Sequence, residues 1–289
     1  MSQPVIILGA ARSGTKYLRD ILAQAPNAAR VPYDIGYIWR YGSEDHPDDV
    51  LPPALLTEKK KRFIRAQVHR LANATPGGGT VVLEKTVGNT LRVPFVDGVF
   101  PEAKYVHLIR DGRAVTESAA RQWSEPLNYG RLFEKLKGLP LQNVGYVFWF
   151  AGNLLKGMVS GRGGGNVWGP RYPGIEADVE ADRDLVEICA EQWRASVEHA
   201  LAGLEMIPAD RQITIRYDEL VSGTDALERV AQFCGLKQVD DVLAAHRERV
   251  DTRADTKWQR ELDEEEQAAM LAIIEPMLHR LGYLGERAA

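Results

Sequence analysis

Hydrophobic positions along this chain follow two alternating patterns. Short unbroken apolar runs at Val5–Leu8, Thr80–Glu84, Tyr105–Ile109 and Gln212–Arg216 are rich in Val and Ile and flanked by turn or helix signals, which predicts buried strands. Between them the apolar residues repeat with a helical period. Leu18, Ile21, Leu22 and Ala25 fall at i, i+3, i+4 and i+7 on one face of a first helix. Further helices are predicted from about Asp111 to Trp123, with Asp111 as N-cap, and over Arg183–Leu204, Gly223–Cys234 and Asp263–Leu281. Strands that alternate with helices build βαβ units. The fold class is therefore α/β, a three-layer α/β/α arrangement around a central parallel sheet. Ligands of such sheets sit beyond the carboxyl ends of the strands.

One stretch breaks the rhythm. Residues 124–181 show no strand period and contain "GRGGGNVWGPRYPGI" at 161–175, rich in glycine, proline and aromatic residues. A long irregular excursion of this kind predicts a functional loop, set as an insertion within one domain spanning 1–289. The basic run "EKKKR" at 58–62 lies on a helical stretch and is expected to be a solvated face.

Composition narrows the picture. With 45% hydrophobic and 26% charged residues, 289 residues suffice to bury a sizeable core. A net charge of −4 argues against broad, sequence-blind binding to nucleic acid. Only Cys189 and Cys234 occur, both within apolar helical patterns, so a disulfide framework is not expected and a reducing compartment fits. No basic stretch precedes the first apolar run, and the longest apolar stretch, at 144–155, is too short to span a bilayer. The expectation is a cytoplasmic protein without a membrane span.

The opening segment "VIILGAARSGTKYL" (5–18) reads as a strand, a glycine-bounded turn and a helix start. Gly9 and Gly14 allow a tight turn that points backbone N–H groups inward, and the following helix offers its unpaired N–H groups and positive dipole end to an anion. Ser13 and Thr15 add hydroxyls, while Arg12 and Lys16 add charge. Any strand–turn–helix with two glycines shares these features. The loop differs from the triphosphate pattern G-x-x-x-x-G-K-[ST], because Thr15 separates Gly14 from Lys16 and Tyr17 follows the lysine. The metal-holding hydroxyl and acidic partner of a magnesium-dependent kinase are poorly represented. A second anion device occurs in "YVHLIRDGRAVTESAARQW" (105–123), where a strand delivers Arg110 at its carboxyl end and the adjoining helix carries Ser118 eight residues on. Arg113 is nearby and is expected to face solvent. Two cationic devices on one sheet suggest a ligand with phosphates at two places.

The chain resembles sulfotransferases that use 3′-phosphoadenosine 5′-phosphosulfate (PAPS), in the R-S-G-T branch that includes bacterial and protein-tyrosine sulfotransferases. "GAARSGTKYL" (9–18) is similar to that family's 5′-phosphosulfate loop, and "RDGRAVTES" (110–118) to its 3′-phosphate motif. "EKT" (84–86) resembles the lysine–threonine element beside the sulfuryl group. "ITIRYDELV" (213–221) and "AEQWRASVEHAL" (190–201) extend the order of motifs through most of the chain, and the resemblance fades over 124–181. It implies a PAPS co-substrate without a metal. It also implies transfer of a sulfuryl group to a hydroxyl of a small molecule, glycan or phenol. By resemblance, Arg12 holds the 5′-phosphate and bridging oxygen, and backbone N–H groups of Ser13, Gly14, Thr15 and Lys16 complete the cradle. Lys85 then sits beside the sulfuryl group, Arg110 and Ser118 bind the 3′-phosphate, and Tyr217 contacts adenine. On residue type alone, Lys85 reads equally as a surface lysine at a strand end, and Tyr217 as a core tyrosine.

The general base is open between two carboxylates. The cytosolic branch uses a histidine two places after the lysine, where this chain has Val87. The protein-tyrosine branch uses a glutamate in the loop after the first helix, where "APNAARVPYDIGY" (25–37) offers Asp34. Asp34 is the favoured base and Glu84 the rival, although neighbours on a strand point to opposite faces. His107 reads as a packed core histidine. Tyr33, Tyr37, Trp39, Trp149, Trp168, Arg171 and Tyr172 are candidates to grip the acceptor, with Phe148 and Trp149 equally readable as core. "KW" (257–258) is a candidate to close over the nucleotide. A P-loop small-molecule kinase and a non-catalytic nucleotide-binding protein are the alternatives.

Overall fold

The computed structural model describes residues 2–74, 79–124, 167–251 and 256–285. Its first half runs β1 (Gln3–Leu8), α1 (Thr15–Leu22), β2 (Ala28–Arg30), α2 (Gly36–Trp39), α3 (Glu58–Leu71) and β3 (Val81–Glu84). A 3-10 helix at Val87–Arg92 leads into α4 (Val93–Val99), β4 (Lys104–Ile109) and α5 (Gly112–Ser124). Beyond the insertion come α6 (Ile175–Glu180), α7 (Leu185–Leu204), β5 (Gln212–Arg216), α8 (Tyr217–Ser222) and α9 (Asp225–Cys234). The described chain ends with α10 (Val239–Arg249), α11 (Trp258–Glu261) and α12 (Glu264–Arg280).

The five strands pair in the order β2-β3-β1-β4-β5, every pair parallel. Alternation along β1 sends its side chains to two cores. Val5 and Ile7 pack with Leu18 and Leu22 of α1, Leu220 of α8, Leu227 and Val230 of α9 and Leu243 of α10. Ile6 and Leu8 pack on the other face with Trp39 of α2, Ile64 and Val68 of α3, Phe95 of α4 and Phe100 just after it. A third cluster joins α5, α7 and α12 through Val115, Trp193, Met270 and Ile274. Helices thus cover both faces of the sheet, as the alternation of patterns implied. Because β1 has β3 on one side and β4 on the other, the carboxyl ends of these three strands open a crevice where the winding reverses.

Local chemistry refines the predicted ends. Asp184 caps α7 by accepting the N–H groups of Val186 and Glu187, so that helix starts two residues after Arg183. Asp263 and Glu266 form a reciprocal capping box on α12. The ninth helix begins at Asp225 rather than Gly223. Strand β2 is absent from the hydrophobic pattern, being only "AAR" on the sheet edge.

Of the irregular insertion, 125–166, including Phe148 and Trp149, lies outside the described residues. Its return is held firmly. Gln192 of α7 donates from Nε2 to the Trp168 and Pro170 carbonyls, both at 2.8 Å. The stretch then forms α6, where the sequence suggested no regular structure. Cys189 and Cys234 are buried free thiols, and burial pushes the Cys234 thiol up to about 12. Among the described residues no helix is long and apolar enough to cross a membrane, and no cluster of three His, Cys, Asp or Glu side chains is placed to hold a metal ion.

Candidate functional site

The opening loop is shaped by two close approaches. A Cβ on Gly9 would lie 2.6 Å from the Thr15 methyl and 2.7 Å from the Leu108 carbonyl oxygen, so only glycine lets the loop lie against β4. Gly14 has φ +90°, and a Cβ there would meet the Tyr217 ring at 2.8 Å. Gly14 precedes α1 and offers it no side-chain cap. The first-turn N–H groups of α1 therefore have no acceptor within the helix, the arrangement that receives an anion. The Ser13 N–H is already committed to the Ala10 carbonyl at 3.1 Å, which removes it from the expected cradle. Lys16 keeps its backbone in the first turn, while its side chain, 77% exposed, turns outward toward Asp20 at 3.9 Å.

Around this loop the second anion device closes. Arg110 donates from one terminal nitrogen to the Arg12 carbonyl at 2.7 Å. Its guanidinium lies over the Tyr217 ring at 4.2 Å, and that ring in turn covers Gly14. Arg12 itself has φ +70°, which directs its side chain toward α5. There its Nε donates to Ser118 Oγ at 3.0 Å, and a terminal nitrogen to Gln122 Oε1 at 3.3 Å. Arg12, Arg110, Ser118 and Tyr217, which are far apart in sequence, thus share one half-exposed cluster at the β1 and β4 ends. The Arg12 guanidinium stands on the Ser118 side of that cluster, not over the first turn of α1.

Several residues brace Arg110, and only their positions in the fold reveal them. Trp193 Nε1 donates to the Arg110 carbonyl at 3.2 Å, and its ring fills the space where a Cβ on Gly112 would be. Tyr283 donates to the Ile109 carbonyl at 3.3 Å. Asp111 accepts the Arg113 N–H at 2.9 Å, as expected of an N-cap. Arg113 does not face solvent: it pairs with Asp111 at 2.6 Å and lies over the buried Trp258 ring at 4.9 Å. Trp258 is therefore packed beneath an arginine, which corrects its expected role as a nucleotide cover.

At the carboxyl end of β3 the second half of the site appears. Lys85 Nζ donates to Asp34 Oδ1 at 2.7 Å, and the Val87 N–H donates to Asp34 Oδ2 at 3.4 Å. Lys85 is 10% exposed and Asp34 32% exposed, so the pair sits in a recess with its carboxylate reachable. Glu84 is fully buried, and its oxygens accept Thr86 Oγ1 at 2.6 Å, Trp39 Nε1 at 3.2 Å and Asn89 Nδ2 at 2.9 Å. Burial pushes its carboxyl up to about 7, against the pull of the Thr86 and Trp39 hydrogen bonds. Enclosed in this way, Glu84 cannot reach an acceptor directly. His107 is also buried, and burial alone pushes its imidazole down to about 4, so it stays neutral. It is a core histidine.

The acceptor-gripping candidates divide. Trp39, Tyr37 and Tyr172 are core residues, at 0%, 6% and 4% exposed, and are withdrawn from that role. Tyr33 beside Asp34 and Trp168 in the insertion return are partly buried. Arg171 is tied to Asp49 through its backbone N–H, 2.9 Å from Oδ2, and ion-paired with Glu176. Trp193 and Gln122 lie within quoted motifs that gave them no role, and no sequence signal marked Asn89 or Tyr283. The place of Gln122 was deducible, because it lies one helical turn beyond Ser118.

Comparison with known proteins shows what this arrangement of strand ends and loop is similar to. Residues 4–137 match the model of the family described as "Sulfotransferase family". The solved structure of the sulfotransferase domain from the curacin biosynthetic pathway is similar over 99% of both chains, with a TM-score of 0.54 and 14% identity. The sulfotransferase domain of the Synechococcus PCC 7002 olefin synthase covers 96% of this chain and 94% of its own, at 0.52 and 16%. Sulfotransferase STF9 from Mycobacterium avium covers 96% and 76%, at 0.56 and 15%. At such identities the likeness is one of fold. No curated protein matches the sequence. The segment 4–137, which holds both candidate phosphate motifs, is thus similar to the sulfotransferase family, and the fold is the one these sulfotransferase domains share.

Proposed function

We propose that this protein transfers a sulfuryl group from PAPS to an acceptor hydroxyl on a small molecule, glycan or phenol. The observation that carries this reading is the convergence of two anion devices on the opening loop. Arg110 grips the Arg12 carbonyl while Arg12 reaches Ser118, and the Lys85–Asp34 pair stands one strand away. The fit to a 3′,5′-bisphosphorylated nucleotide rests on the same cradle. Gly9 and Gly14 let the loop pack closely against Leu108 and the Tyr217 ring, and that ring lies over the loop. The first turn of α1, through the N–H groups of Thr15 and Lys16, receives the 5′ end, Ser118 with Arg110 and Arg12 the 3′-phosphate, and Tyr217 the adenine.

In the transfer, the acceptor oxygen attacks sulfur in line, forming a new O–S bond as the bond to the bridging oxygen breaks. The leaving 3′-phosphoadenosine 5′-phosphate keeps that electron pair. Asp34 takes the acceptor's proton. Lys85, beside it, lends positive charge to the transferring group and the bridging oxygen. A sulfuryl group carries less negative charge than a terminal phosphoryl, so protein cations suffice in this reading and no metal is required.

The test uses Asp34→Asn with radiolabelled PAPS and a panel of phenols and sugars. Bisphosphate binding should stay within about twofold of wild type while transfer falls by about 10²–10⁴, the usual worth of a positioned base. Transfer by Asp34→Asn at the wild-type rate would overturn the assignment of the base.

A further inference from the structure

Strand β3 ends on a residue that the transfer chemistry does not touch. Alternation sends Lys85 to the crevice and its neighbours Glu84 and Thr86 to the interior. Each of the three donors to Glu84 belongs to a different part of the wall around Asp34. Thr86 Oγ1, while donating to Glu84, accepts the N–H of Ile35 at 2.9 Å, immediately after Asp34. Trp39 closes α2, the helix that follows Asp34. Asn89 lies in the 3-10 helix, and its Oδ1 accepts Arg92 Nε at 2.9 Å. Arg92 passes the chain of bonds to Asp49 at 2.9 Å, and Asp49 holds the insertion return at Arg171. One buried carboxylate therefore ties both sides of the Asp34 loop to the strand that delivers Lys85.

We propose that Glu84 is a positioning residue that fixes Asp34 against Lys85 by gathering Thr86, Trp39 and Asn89. Its bearing on catalysis rests on the transfer reading above. The ionised carboxylate satisfies all three donors at once, whereas a proton on it points at one of them and loosens the loop. The charged groups around it are Arg92 and Asp34, with Lys85 beyond Asp34, and Asp49 and Arg40 beyond Arg92. Burial, the largest influence, and Asp34 favour the neutral form, while the hydrogen bonds and Arg92 favour the ionised one. The carboxyl consequently titrates near neutrality.

The experiment reads the Asp34–Lys85 pair directly. The full-length protein is acylated with acetic anhydride across the neutral pH range. Modification of Lys85 is then measured by mass spectrometry relative to Lys59, an exposed lysine on α3. In the wild type the ratio should rise severalfold as pH falls through about 7 and Glu84 takes up its proton. In Glu84→Gln it should be high and independent of pH. The double variant Glu84→Gln/Asn89→Asp lets the new amide donate to a carboxylate that also accepts Arg92, and should bring the ratio back down. An unchanged ratio in a folded Glu84→Gln, or no recovery in a folded double variant, overturns the proposal. Should Glu84→Gln fail to fold, the wild-type profile decides alone, and a flat profile overturns it. Calorimetry of the wild type with 3′-phosphoadenosine 5′-phosphate runs in parallel. A protein that fails to bind the bisphosphate loses the transfer reading, whatever Lys85 reports.

Discussion

The two strand ends beside β1 hold their charge in opposite ways. On the β4 side, Arg12 and Arg110 are exposed or half-exposed and lean on a backbone carbonyl, a hydroxyl, an amide and an aromatic ring. In the proposed transfer these are the cations that meet the incoming anion. On the β3 side, Lys85 faces a carboxylate, and behind it Glu84, Asn89, Arg92, Asp49 and Arg40 form a buried chain in which charges are matched within the protein. In the proposed transfer the first side is completed by a ligand, and the second is completed in advance, which is how a proton acceptor is held in a fixed geometry before substrate arrives.

The difference breaks most sharply at Gly14. Gly14→Ala puts an L side chain at φ +90°, a strain of roughly 1–2 kcal/mol, and sets its Cβ 2.8 Å from the Tyr217 ring. Bisphosphate affinity measured by calorimetry should fall about tenfold or more, taking 1.4 kcal/mol per decade, while the β3 side is undisturbed. Retained affinity would mean that the loop does not need its left-handed turn.

The buried side is probed by pH instead of ligand. The folded-state carboxyl of Glu84 lies at about 7, above the usual value near 4.3. A raised carboxyl contributes stability that is fully present below the unfolded value and is lost as pH climbs through the folded one. Melting curves of wild type and Glu84→Gln should therefore diverge with pH, the wild type losing ground between about pH 4.5 and 7.5. A constant offset across that window would show that Glu84 does not titrate in the folded protein.

The smallest expected effect sharpens the contrast from behind Arg110. Trp193→Phe removes the indole N–H that holds the Arg110 carbonyl at 3.2 Å. A single neutral hydrogen bond is worth about 0.5–1.5 kcal/mol net, so bisphosphate affinity should weaken by only a few-fold. A loss as large as that of Gly14→Ala would move the brace into the binding site itself.

Much of the fold was legible because four of its five strands are dense Val and Ile runs, and helices α1, α5, α7, α9 and α12 carry a clear apolar face. Strand β2 was not, since three residues at a sheet edge need no β-branched side chains. The loop, Arg110 and Ser118 were readable as candidates because a phosphate-binding motif is defined by short-range spacing. The environments were not. Whether Trp39 lines a crevice or donates to a buried carboxylate depends on where α2 packs, and no local pattern encodes that. Glu84 and Lys85 are neighbours of opposite fate, and alternation along a strand was the single clue that separated them. The direction of the Arg12 side chain follows from a positive φ that only the folded loop discloses.

The most direct test of the central claim is a calorimetric titration with 3′-phosphoadenosine 5′-phosphate in metal-free buffer, for the wild type and for Arg110→Ala. The account predicts micromolar binding by the wild type, weakened about a hundredfold in the variant, as expected for loss of charge-assisted bonds worth ~1.5–3 kcal/mol each. Failure of the wild type to bind the bisphosphate, with clear binding of ATP and magnesium, would contradict it.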